Sequence, residues 1–209
     1  EYLLELLEPL GIAAPRAGET FFPVTAEALS SVRDLLAAYV VPPDLPWVVL
    51  NPSASDITKM WPAERFAELV TRIQKDRPCV FAAIGTLKDR PLVEKLQRST
   101  VVPVIDLTGK LSLGMLGALL KRAMLLVSND SGPVHIAAAV GTPVVSIFGR
   151  YAPGLGPTRW QPLTRLARVV AKDVSGIPEA ERKFTYIDEI PVGDVYQAAS
   201  ELLTGGKKK

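Results

Sequence analysis

The chain of 209 residues carries 24 Lys and Arg against 22 Asp and Glu, a net charge of +2, and 48% of it is apolar. That apolar content builds a core and excludes disorder and fibrous architectures, and basic residues so evenly scattered leave no nucleic-acid footprint. The single cysteine, Cys79, excludes a disulfide framework and a cysteine zinc site, and no apolar run reaches the roughly 18 residues that cross a bilayer.

Leu3, Leu6, Leu7 and Leu10 fall at i, i+3, i+4 and i+7, which predicts an amphipathic helix at the start. The chain opens on Glu1 and its first methionine is Met60. A start inside a helix is the expectation for a piece cut from something longer.

From Trp47 onward, short β-branched runs alternate with helical patterns. The runs Trp47–Asn51, Cys79–Ile84, Val101–Asp106, Met124–Ser128, Pro143–Phe148 and Leu166–Ala171 read as strands buried on both faces. Helices are predicted over Pro62–Asp76, with Pro62 at the first helical position, and over Lys88–Gln97, Leu113–Arg122, Pro133–Val140 and Val192–Leu203. Gly149–Pro162, with three glycines and three prolines, reads as loop, and the Lys207–Lys209 tail as solvated. This alternation predicts an α/β, Rossmann-like open parallel sheet with helices on both faces.

Ligands of such sheets bind outside the carboxyl ends of the strands, and four polar clusters fall there. The first strand is followed by the hydroxyls of Ser53 and Ser55, then by Lys59 just before a helix. The second is followed by Gly85–Asp89, the fourth by Ser128–Pro133, and the fifth by Gly149 and Arg150. In the fourth loop, small residues open a helix whose N-terminus carries about half a positive charge, an arrangement that favours a phosphate. His135, the only histidine, falls in that first turn, where a neutral ring could donate to a phosphate or orient Asp130. Equally, Asp130 and Ser131 could merely cap the helix.

Lys59 reads as a second phosphate contact or as a solvated lysine. Asp89 reads as a ribose acceptor or as a first-turn acid supporting its own helix. Trp61 reads as a packing anchor. A G-x-x-x-x-G-K-[ST] phosphate loop and a G-x-S-x-G elbow are absent, and Gly154-Leu-Gly156 has no helix after it.

Ser128-Asn-Asp-Ser-Gly-Pro-Val-His135, continuing through Gly141-Thr-Pro-Val-Val-Ser-Ile-Phe-Gly149, resembles the signature of the family 9 glycosyltransferases, the ADP-heptose:lipopolysaccharide heptosyltransferases. Asn51-Pro-Ser-Ala, the Lys59-Met-Trp61-Pro62 segment and Leu107–Leu113 are similar to the same family. The resemblance implies a C-terminal, donor-binding half of a GT-B enzyme. Residues 1–44 would be bridging helices and residues 45–209 the nucleotide-sugar domain. Asp130 would meet donor sugar hydroxyls. Ser131 and Gly132 amides with His135 would hold the diphosphate, Lys59 would neutralise it, and Asp89 would bind the ribose.

It further implies inverting transfer without a metal or other cofactor. The general base would lie on another domain, so no catalytic residue is assigned in this chain. The partners would be a nucleotide-sugar donor and a lipid A/Kdo-type lipopolysaccharide acceptor, in the cytoplasm at the inner membrane face. Three departures leave the base and the sugar open: Ser131 stands where the family has threonine, Ser53 where it has glycine, and Arg150-Tyr151 where Pro-Thr is common. The alternatives are a noncatalytic nucleotide-binding or partner-binding module, and a UDP-sugar GT-B enzyme such as an epimerase.

Overall fold

The computed structural model describes residues 9, 11, 20–42, 44–151 and 156–205. The predicted first helix, apart from Pro9, and the lysine tail lie outside these residues, as does Gly154. Six parallel strands run β1 (Trp47–Asn51), β2 (Val80–Ala83), β3 (Val104–Asp106), β4 (Leu125–Asn129), β5 (Val144–Phe148) and β6 (Ala167–Ala171). Their spatial order is β3-β2-β1-β4-β5-β6. All five residues of β1, β4 and β5 are buried, which is why these strands read as unbroken apolar runs.

The period of two sends alternate side chains to opposite faces. Val48, Leu50, Leu125, Val127, Val145 and Ile147 pack under helices α2 (Ala63–Asp76), α3 (Arg90–Arg98) and α7 (Val192–Gly205). Val49, Leu126 and Val144 pack under α1 (Ala26–Ala37), α4 (Leu113–Arg122) and α5 (Gly132–Ala139). The α1 helix, capped by Thr25, buries Ala28, Val32 and Leu36. It therefore shares the core of the sheet. Among the described residues no helix is long and apolar enough to cross a membrane.

The structure corrects several expected boundaries. Pro62 is the residue before α2 and not its first helical position. The third strand is only Val104–Asp106, because Pro103 has no N–H to give a ladder; Val101 is left outside, fully exposed to solvent. The single helix expected over Lys88–Gln97 is a 3₁₀ turn, Leu87–Asp89, followed by α3. The expected loop Gly149–Pro162 contains one helical turn, α6 (Pro157–Trp160), begun by a proline whose fixed φ suits a first helical position.

The α2 helix shows the energetics most plainly. Phe66 and Trp61 are fully buried and meet edge to face, with ring centroids 5.0 Å apart. Phe66→Ala is expected to cost about 3–5 kcal/mol of unfolding free energy. Urea denaturation measures it, and a loss below about 1 kcal/mol would mean that this face contributes little packing.

Candidate functional site

The strand order reverses direction between β1 and β4, and the crossovers on either side of that seam leave in opposite senses. Such a switch point opens a crevice at the carboxyl ends of the strands. Here it is a cleft of about 800 Å³. Its lining includes Ser53, Ser55, Lys59, Asp89, Asp130, Ser131, Gly132 and His135, the expected donor contacts, whereas Gly149 and Arg150 of the fourth polar cluster do not line it.

Two asparagines hold the seam together. Asn51, ending β1, donates from Nδ2 to Ser128 Oγ at 2.9 Å and to Ser131 Oγ at 2.7 Å. Asn129, ending β4, accepts from the Trp61 backbone N–H at 3.0 Å and donates to the Pro52 carbonyl at 2.7 Å. Both asparagines are buried. Sequence reasoning missed them as structural parts. The available signal was an asparagine at the last position of two largely apolar strands.

Lys59 ends a 3₁₀ turn, Ile57–Lys59, that Asp56 caps by accepting from Thr58 N at 2.9 Å. Its ammonium reaches across the seam to Asp130 Oδ2 at 2.7 Å, with the two side chains only 19% and 8% exposed. The solvated-lysine reading is thereby corrected, since a partly desolvated pair of opposite charges sits at the mouth of the seam.

The capping reading of the fourth loop is corrected too. The N-cap of α5 is Ser131, and its side chain makes no capping bond. Its hydroxyl instead accepts from Asn51 and donates to the Asn129 carbonyl at 3.1 Å. The N-terminus of α5 thus faces the cleft without a side-chain cap, and a Cβ at Gly132 would meet nothing within 4 Å. His135 is exposed on the rim, and among the described residues it makes no hydrogen bond to Asp130.

Asp89 supports its own turn. Its Oδ2 accepts from Thr86 N at 2.6 Å and from Thr86 Oγ1 at 2.7 Å. Gly85 is required for that approach, because a Cβ there would lie 2.9 Å from Asp89 Cβ. The Thr86-x-x-Asp89 spacing was the sequence signal for this reciprocal cap. Ile84, Leu111, Leu113 and Leu116 add an apolar wall beside it, and Trp160 lines the cleft as well.

Behind the Lys59 turn, Arg150 bonds Asp56 Oδ2 through Nη2 at 2.6 Å and Thr58 Oγ1 through Nε at 2.8 Å. The Thr58 bonds, together with the Arg150 guanidinium, hold the Asp56 carboxyl well below its usual 3.8.

A doubly wound parallel sheet with an open helix N-terminus at its switch point defines a Rossmann-like class of α/β protein, in which the crevice at that point is the ligand site. The chain belongs to glycosyltransferase family 9 (heptosyltransferase), whose family profile matches residues 22–186. Lipopolysaccharide heptosyltransferase 3 of Escherichia coli (strain K12) is 32% identical over 206 residues, 96% of this chain and 58% of that protein. The glycosyl transferase family 9 structure from Veillonella parvula DSM 2008 matches with a TM-score of 0.81 at 25% identity, over 96% of this chain and 58% of the other. E. coli ADP-heptose LPS heptosyltransferase II shares the fold, with a TM-score of 0.70 at 21% identity over 90% and 54% of the two chains. The chain spans little more than half the length of these relatives.

Two outcomes follow from this geometry. Asn129→Ala strips partners from a buried N–H and a buried carbonyl, and is expected to cost about 1–3 kcal/mol in urea unfolding. A carboxylate depressed in the folded state stabilises the fold above its unfolded pKa and loses that contribution as acid protonates it. The stability difference between wild type and Asp56→Asn should therefore be flat from roughly pH 8 to 5 and shrink below about pH 4, as followed by thermal unfolding across pH. A difference that grows with acid would contradict the assignment.

Proposed function

We propose that this chain is the donor-binding part of a heptosyltransferase that holds an ADP-heptose-type nucleotide sugar. The observation that carries the reading is the open N-terminus of α5 facing Lys59 and Asp130 across the switch point. Peptide N–H groups and the helix dipole suit a diphosphate, and the Lys59 ammonium adds the full positive charge. Asp130 can accept from sugar hydroxyls. The apolar wall of Leu111, Leu113 and Leu116 suits a flat base, with Asp89 beside it for the ribose.

In the full reaction the donor's sugar passes with inversion to a lipid A/Kdo-type lipopolysaccharide acceptor in the cytoplasm, at the inner membrane face. The general base that activates that acceptor lies outside this chain. Binding uses no metal, since Lys59 and the α5 amides oppose the phosphate charge directly. The heptosyltransferase names of the relatives support this choice of donor and acceptor.

Calorimetric titration of the chain with ADP, UDP and GDP tests the reading. ADP is expected to bind best, and Lys59→Met to weaken it roughly 10- to 100-fold, the value of about 1.5–3 kcal/mol for a charged hydrogen bond. Asp130→Asn should weaken an ADP-sugar more than ADP. Affinity should be the same with magnesium and with chelator. Binding of none of the three nucleotides sinks the proposal, preference for UDP points to another sugar-nucleotide enzyme, and loss of affinity in chelator overturns the metal-free part.

A further inference from the structure

We propose that Arg150 is the positioning residue for Lys59, acting through the Ile57–Lys59 turn; the inference rests on the donor-binding reading above. Arg150 does not line the cleft. Its guanidinium lies behind the turn, 11% exposed, with its Nε/Nη2 edge spanning Thr58 and Asp56, and its Cζ 5.0 Å from the centre of the Phe184 ring.

Thr58, the residue before Lys59, is the most restrained point of the loop. Its N–H and hydroxyl both donate to Asp56 Oδ1, at 2.9 and 2.7 Å. The hydroxyl also accepts from Arg150 Nε, and its carbonyl accepts from Thr185 Oγ1 at 2.6 Å. Thr185 is itself held against Arg150 by an antiparallel bridge, and Tyr186 N donates to the Gly149 carbonyl at 2.7 Å. Only glycine permits this approach, because a Cβ at position 149 would lie 2.6 Å from Ile187 Cβ and 2.8 Å from Thr185 Oγ1. Arg150 and Thr185 thus close a ring of bonds around the residue next to Lys59.

A lysine is a point charge on a flexible four-carbon stem, and ordering it costs rotamer entropy. Fixing its backbone in advance removes the further cost of ordering the turn when a ligand arrives. Two residues on, Trp61 is fixed by Asn129 and by burial, so both sides of Lys59 are clamped. The planar fork of an arginine spans Asp56 and Thr58 together, which an ammonium does not.

The test is calorimetry of the 209-residue chain with ADP and with adenosine, which lacks the phosphates. Arg150→Met is expected to weaken ADP about tenfold and leave adenosine unchanged. In a Lys59→Met background the same change should add less than about twofold, the signature of acting through one residue. Arg150→Lys, which keeps a charge for Asp56 and loses the fork, should recover only part of the loss. Should Arg150→Met fail to fold, Thr185→Val removes the bond to the Thr58 carbonyl, together with the longer one accepted from Ile187 N, and should weaken ADP in the same direction by less.

Equal losses for ADP and adenosine, or an undiminished loss in the Lys59→Met background, overturn the positioning role. So does unchanged ADP affinity in a chain whose Lys59→Met variant has lost it; that result leaves the donor-binding reading standing. A wild-type chain that binds no nucleotide overturns both.

Discussion

The cleft depends on one buried side chain, the amide of Asn129. Where a parallel sheet switches direction, the chains leaving adjacent strands diverge, and their first peptide groups lose the ladder partners they had within the sheet. Asn129 replaces those partners with both halves of one amide, accepting from Trp61 N–H and donating to the Pro52 carbonyl. A carboxylate could serve only the first of these and a lysine only the second. The loop after β1 is thereby fixed at its beginning and near its end, and the stretch between carries Ser53, Ser55 and Lys59.

The far anchor of that stretch also ties together two helices of one layer. The Trp61 indole Nε1 donates to the Ile190 carbonyl at 2.9 Å, and Arg65 Nη1 donates to the same oxygen at 2.7 Å. Ile190 lies just before α7, so the start of that helix is tied to the start of α2 at one carbonyl. Burial of Trp61 against Phe66 makes the tie hard to shift without opening the core. Rigidity at the site is borrowed from the packed face beneath it, as a recognition site on loops requires.

Much of this was readable from the chain, for physical reasons that also mark where reading stops. Doubly buried strands appear as apolar runs, so β1, β4 and β5 were found within a residue or two of their ends. Because the loops after such strands must share one rim, every residue expected to contact the donor falls in one cleft. Pairing was not readable. Lys59 and Asp130 are 71 positions apart, and nothing local tells a paired lysine from a solvated one. Arg150 was noticed as polar and assigned no task, because its partners Asp56 and Thr58 lie more than ninety residues upstream. Asp89 was the opposite case, since the Thr86 spacing already contained its bonds to Thr86, next to which the ribose reading stood.

The Lys59–Asp130 pair gives the proposed donor site a selectivity that neither residue has alone. A phosphate arriving at Lys59 competes with a carboxylate already bonded at 2.7 Å and largely shielded from water. Breaking such a pair for one new partner leaves the other charge uncompensated, which is costly in a partly desolvated place. A free nucleotide offers phosphate oxygens to Lys59 and nothing to Asp130. A nucleotide sugar offers both, oxygens to the ammonium and hydroxyl donors to the carboxylate, so each charge exchanges one partner for another. On the donor-binding reading, the cleft therefore disfavours the spent nucleotide relative to the loaded one, using two side chains that the seam and its clamps already hold in place.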